Sequence, residues 1–144
     1  MEKPQVFVLD ASVVVKWYVK EEMRDIALKL RNHFVSELID LEAPSLILYE
    51  LGNALRHHPG STATDCAEAV RQLQNIGLIF HEPNDNLIDE AAALTYKENI
   101  TFYDAVYLAL AKILGTKLVT ADASLIDQLS EENKSDVTLL KEYA

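Results

Sequence analysis

The sequence predicts an α/β fold of three layers, with a mainly parallel central sheet between helices, built as one domain over residues 1–144. Three observations carry this reading. Short apolar runs alternate along the chain with longer stretches of helical periodicity. The first run, Val6-Phe7-Val8-Leu9, is apolar without interruption, the pattern of a strand buried on both faces of a parallel sheet. Four Gly and four Pro in 144 residues leave no room for a linker, and there is no internal repeat.

The first strand stops at Asp10, a carboxylate placed where doubly wound sheets bind ligands, outside the strand carboxyl ends. Ser12 is positioned to cap a following helix. The Val13-Val14-Val15 run opposes that helix, since β-branched side chains lose rotamer freedom in one. A single strand from Val6 to Val19 would be unusually long and would bury Asp10 in mid-sheet, so a helix is expected. Glu21 and Glu22 open a second helical stretch, with Ile26, Leu30, Phe34 and Leu38 at i+4 spacing beside Ala27. Leu41-Glu42-Ala43-Pro44 reads as a short strand ended by proline, and Ser45 then caps a helix through His57, stopped by Pro59-Gly60. Thr64 to Gln74 reads as a helix ended by Gly77, and Leu78 to His81 as an apolar strand. Pro83-Asn84-Asp85 leads into a helix ending at Glu98. Thr101 opens another, with Gly115 at its left-handed C-terminal position. Lys117 to Thr120 is the next strand, Ser124 to Leu129 a short helix, and Val137 to Leu140 a last strand.

Composition narrows the function classes. Hydrophobic residues make up 49%, which excludes disorder. Cys66 stands alone, so a disulfide framework is excluded and a reducing cytoplasm expected. No basic-then-apolar leader opens the chain, and no apolar run approaches the ~18 residues of a membrane span. The formal charge of −10 opposes non-specific nucleic-acid binding, which draws its affinity from Lys and Arg neutralising phosphates. A nucleic-acid function would have to overcome that field locally, through metal ions or a basic patch.

Four acids fall on one edge of such a sheet. Asp10 and Asp122 each follow a strand and precede a helix, and Asp104 begins its own helix. The helix after Asp104 runs about 15 Å, at 1.5 Å per residue. The strand from Lys117 to Asp122 climbs about 16 Å the other way, so the two carboxylates finish level. Glu50 lies early in the helix after the second strand, among Leu46, Ile47, Asn53 and Ala54, a costly place for an unpaired charge. Each acid has a plainer role open to it. Asp104 could complete a capping box with Thr101, Asp122 could cap the short helix, Asp10 could serve a turn, and Glu50 could pair with a Lys or Arg. Together, four converging carboxylates repel, and hard dications such as Mg²⁺ or Mn²⁺ resolve that repulsion. The residues therefore point to a metal-dependent phosphoryl-transfer or phosphodiester site.

The stretches VLDASVVVKW, PSLILYELGNAL, TFYDAVYLALA and LVTAD resemble the PIN-domain ribonucleases, and among these the VapC-type toxins of toxin–antitoxin pairs. The resemblance spans essentially the whole chain, with the four acids in the family's order and context. It implies a parallel-sheet α/β/α fold, dependence on Mg²⁺ or Mn²⁺, and endoribonuclease activity on single-stranded or structured RNA. It also implies a homodimer held inactive by a small antitoxin. Asp10, Glu50, Asp104 and Asp122 map onto the acidic metal-binding quartet, and Ser12 and Thr120 onto polar positions beside it. One departure stands out: many relatives carry a further acid where this chain has Ser124, and Asp127 lies three residues on. That puts a second metal in doubt and leaves a one-metal mechanism open.

Lesser signals have bland explanations beside them. Lys16, Lys20, Arg24 and Arg56 could guide a phosphate backbone or line a solvated helix face. His57-His58 lies near a helix C-terminus, where imidazolium meets the dipole, and lacks the Cys or third His of a metal site. Trp17, Tyr18 and Tyr49 could stack on bases, although core or dimer packing explains them more simply. A haloacid-dehalogenase-like phosphatase would need an Asp where Ser12 stands, and a receiver domain would need adjacent acids at the first strand. A non-catalytic module keeping the fold to bind a partner is the remaining rival, and the complete acid quartet argues against it.

Overall fold

The computed structural model describes residues 3–143. Five strands form one wholly parallel sheet: β1 (Gln5–Leu9), β2 (Ile39–Pro44), β3 (Ile79–His81), β4 (Lys117–Thr120) and β5 (Val137–Leu139). Their order is β3-β2-β1-β4-β5. From β1 the chain winds outward to β2 and β3, then returns to lay β4 on the other side of β1. β1 and β4 therefore flank the point where the winding reverses, and the crevice beyond their carboxyl ends is where such sheets take ligands. Val8, Leu9, Leu41, Leu118 and Val119 are sealed from solvent, as the continuous apolar runs require.

Helices cover both sides of the sheet. They are α1 (Ala11–Val14), α2 (Arg24–Val35), α3 (Leu46–Arg56), α4 (Ala63–Asn75), α5 (Asp85–Glu98), α6 (Phe102–Leu114), α7 (Ala123–Gln128) and α8 (Glu131–Lys134). α6 packs against β1, β2 and β4 and buries Ala105, Leu108, Ala109 and Ala111. Its ends are as expected: Thr101 accepts the Asp104 N–H, and Gly115 adopts φ 67°. Asn84 caps α5, and Thr62 forms a reciprocal capping box with Asp65 at the start of α4.

Several expectations need correction. The second helical stretch opens at Arg24, not at Glu21 and Glu22, and Ser45 stands at the N-cap of α3 without a side-chain bond to it. The helix after Asp10 is only one turn of α-helix, tightening into a 3-10 turn over Val15–Trp17. The β-branched run has its effect there. Ser12 does not cap it, because its hydroxyl is turned toward Asp10 and β4. The stripe on α2 ends at Phe34, since Glu37 takes φ 63° and turns the chain, leaving Leu38 exposed. β2 begins at Ile39, two residues before Leu41, and the α8 turn was not expected.

Candidate active site

Asp10 is the innermost acid. It directly follows β1, and its backbone N–H extends the ladder to Val119 O at 3.1 Å. Its Oδ2 accepts hydrogen bonds from Ser12 Oγ at 2.5 Å and Thr120 Oγ1 at 2.7 Å. Ser12 Oγ in turn accepts the Ala121 N–H at 2.9 Å, and Thr120 Oγ1 accepts the Asp122 N–H at 3.1 Å. These two hydroxyls stitch the end of β1 to the end of β4 and fix the carboxylate between them. Burial pushes the Asp10 carboxyl up, against the pull of Ser12, Thr120 and the Ala11 and Ser12 amides.

Glu50 sits half-buried on α3, and Tyr107 of α6 donates to its Oε1 at 2.6 Å. The partner that so apolar a face demands is thus a phenol, not the Lys or Arg expected. Burial raises the Glu50 carboxyl, the Tyr107 bond opposes this, and the charges of Asp10 and Asp104 push it further up. Tyr107 is nearly inaccessible, and burial together with Glu50 holds its hydroxyl protonated. Asp104 is half-buried on the first turn of α6. Burial lifts it first, and Asp10 and Asp122 lift it further, while the Thr101 hydroxyl works the other way. Asp122 is exposed and caps α7, its Oδ1 accepting the Ser124 N–H at 3.0 Å and Ser124 Oγ at 2.6 Å.

The four acids thus share one electrostatic neighbourhood at the reversal of the sheet, each within the field of at least one other. The set is oxygen-only, which suits a hard dication, and its mutual repulsion is what such an ion would relieve. Among the described residues no three His, Cys, Asp or Glu side chains stand close enough to hold an ion together. The capping roles are real as well: Asp122 serves α7, and Thr101 serves the Asp104 amide. Ser124, standing where a further acid could sit, binds Asp122.

Other candidates fall away. Lys16 is buried and pairs with Glu21 at 3.5 Å, and Arg24 donates to the carbonyls of Lys16 and Trp17, closing the 3-10 turn. Trp17 is buried with its indole N–H on Ala27 O, and the Tyr18 hydroxyl is shut in without a partner among the described residues. Tyr49, by contrast, is 78% exposed, so packing in the core does not account for it. His57 and His58 join no metal-binding group among the described residues. Tyr107 is the residue the sequence reading missed. Its position at i+3 from Asp104, on the same helix face, was the available signal.

The PIN domain family matches this chain over residues 7–131. Ribonuclease VapC3 of Pyrobaculum aerophilum is 32% identical over 125 residues, spanning 84% of this chain and 92% of its own length. Exonuclease VapC9 of the same organism is 36% identical over 81 residues, spanning 56% of this chain and 61% of its own. Among solved structures, PAE2754 of Pyrobaculum aerophilum superposes with a TM-score of 0.64 at 22% identity, covering 95% of this chain and 90% of that one. VapBC2 of Rickettsia felis, bound to a DNA fragment from its promoter, superposes with a TM-score of 0.67 at 11% identity, covering 94% and 97%. Those two likenesses concern the fold. With the family match spanning most of the chain and a relative 32% identical over most of its length, the chain belongs to the PIN domain family.

Proposed function

We propose that this chain is a metal-dependent ribonuclease that hydrolyses internal phosphodiester bonds of single-stranded or structured RNA, as the toxin of a toxin–antitoxin pair. One observation carries the chemistry: at the reversal point of the sheet the charges of Asp10 and Asp104 act on Glu50, and those of Asp10 and Asp122 act on Asp104, while Ser12, Thr120 and Tyr107 hold Asp10 and Glu50 in place. The names of the relatives, a ribonuclease and an exonuclease of the VapC group, support the substrate and reaction class. Asp10, Glu50, Asp104 and Asp122 would hold Mg²⁺ or Mn²⁺, which supplies Lewis-acid activation of water and stabilisation of the leaving oxygen. The chain's own contribution is positional. Ser12 and Thr120 orient Asp10, and Tyr107 keeps Glu50 facing the other acids. With Ser124 in place of a further acid, a single ion suffices for the proposed site.

A homodimer in the cytoplasm, restrained by a small antitoxin, completes the proposal. No helix among the described residues is long and apolar enough to cross a membrane. An acidic groove on a molecule of charge −10 is complementary to an Arg or Lys side chain inserted by such a partner. The test uses a circular RNA in Mn²⁺, which only internal cutting can open. Linearisation that EDTA stops supports the proposal; trimming of linear RNA alone, or cutting in excess chelator, contradicts it. Co-expression with the flanking genes tests the partner, and purification of a free, active chain counts against it.

A further inference from the structure

α6 begins with two aromatic residues, Phe102 and Tyr103, directly before Asp104, and their side chains stay 45% and 59% exposed. Tyr107, Leu108 and Leu110 of the same helix are buried, whereas these two rings, like Ile113 and Leu114 at its far end, are left out of the core. They border a cleft of about 170 Å³ whose other walls include Pro44, Leu46 and His81. His81 presents a polar edge. Its Nε2 donates to Glu42 Oε1 at 2.7 Å, which leaves Nδ1 without a partner among the described residues.

We propose that this cleft is a nucleobase subsite, in which Tyr103 stacks on a base of single-stranded RNA whose backbone lies at the carboxylates. The inference rests on the ribonuclease reading above. Pro44 ends β2 and His81 ends β3, so the cleft lies along the same carboxyl edge of the sheet that carries Asp10, and a strand of RNA running along that edge would pass both. The charge balance explains the need. Of the 13 Lys and Arg, Lys16 and Arg24 beside the first helix are committed to internal partners, and the 23 acids leave the molecule with a net charge of −10. Stacking carries no charge and tolerates any base, so it adds affinity where phosphate pairing is weak. It also requires unpaired bases, which selects single strands.

The test uses short single-stranded RNA with 2-aminopurine, or an abasic residue, beside the cleaved bond, mixed with the full chain in Mn²⁺. Wild type should quench the 2-aminopurine fluorescence and cleave the abasic RNA with a raised KM. Tyr103→Ala should lose the quenching and raise KM for intact RNA roughly five- to hundred-fold, the span expected for one stacked base, with kcat little changed. Tyr103→Phe should keep both, because the ring and not the hydroxyl does the stacking. Tyr96→Ala, an exposed ring on α5 outside the cleft, serves as the control. Unchanged quenching and KM in Tyr103→Ala, or an abasic RNA cleaved as well as the intact one, would overturn the subsite and leave the ribonuclease reading standing. A homodimer that Tyr103→Ala dissociates would overturn it too, assigning the face to a second copy. Quenching without cleavage would keep the subsite and sink the ribonuclease reading. Neither quenching nor cleavage would sink both.

Discussion

At the scale of single residues, Glu50 and Tyr107 show how a charge is kept on an apolar face. The two lie 57 positions apart in the chain, so their hydrogen bond is invisible to any local pattern. What the sequence does convey is the need: a carboxylate among Leu46, Ile47 and Ala54 requires a partner. The identity of that partner depends on how α3 and α6 approach, and the expected Lys or Arg is in fact a phenol. Tyr107→Phe removes only the hydroxyl and should lower stability by about 1.5 to 3 kcal/mol, the range for a hydrogen bond to a charged group. In a Glu50→Gln background the same change should cost less, because the strong acceptor is gone. Thermal melts of the four proteins measure the coupling, and equal losses in both backgrounds would remove Tyr107 from the site.

At the scale of elements, the succession of strands and helices and some of the helix ends were readable, whereas the caps expected of Ser12 and Ser45 and the joins between elements were not. Thr101, Asn84 and Gly115 act locally, and each does what its residue type dictates. Ser12 fails as a cap because a long-range demand outweighs the local one: Asp10 and the Ala121 amide both need its hydroxyl. Thr120 plays the same bridging part and is wholly buried. Thr120→Val keeps the volume but strands the Asp122 N–H and frees Asp10, so it should cost about 1 to 3 kcal/mol and most of the activity. Melting and cleavage rates check both, and full activity would show that Asp10 needs no such anchor.

Another join, between α5 and α8, explains the unexpected helix and its pH behaviour. Glu98, the buried last residue of α5, accepts from the Ser130 hydroxyl at 2.6 Å and the Ser130 N–H at 2.9 Å, and also from Asn133. The Ser130 hydroxyl first, then its amide and Asn133, hold this carboxyl below the usual glutamate range. A carboxyl depressed in the folded state contributes its full stability above its unfolded value and loses it as pH falls through the folded one. Glu98→Gln should therefore melt lower at neutral pH, by about 1.5 to 3 kcal/mol, with the gap closing under acid. A gap constant with pH would mean that the charge plays no part.

Over the whole molecule, alternation of strands and helices was enough to expect a parallel sheet, and the apolar runs were enough to place its core. Strand order was not readable, because it depends on which side of β1 each crossover takes. The edge shared by the acids was legible for the same reason that the order was not needed: in any parallel sheet the helix starts and strand ends meet at one edge. Their spacing was beyond reach, and with it whether they already form a ligand set.

The central claim is that these acids form a metal site, and Asp104→Asn tests it most directly. The change is nearly isosteric, and the Asp104 backbone bond to Thr101 does not involve the altered group. Removing one of several mutually repelling charges should leave the metal-free variant as stable as wild type or more so. Melting with and without Mn²⁺, alongside cleavage of circular RNA, reads out both halves. Wild type at Mn²⁺ a hundred times its Kd should gain about 2.7 kcal/mol, or roughly 5 to 11 °C, and open the circle. Asp104→Asn should gain markedly less and leave the circle intact. Equal gains with equal cleavage would contradict the account and reduce Asp104 to a residue of the helix start.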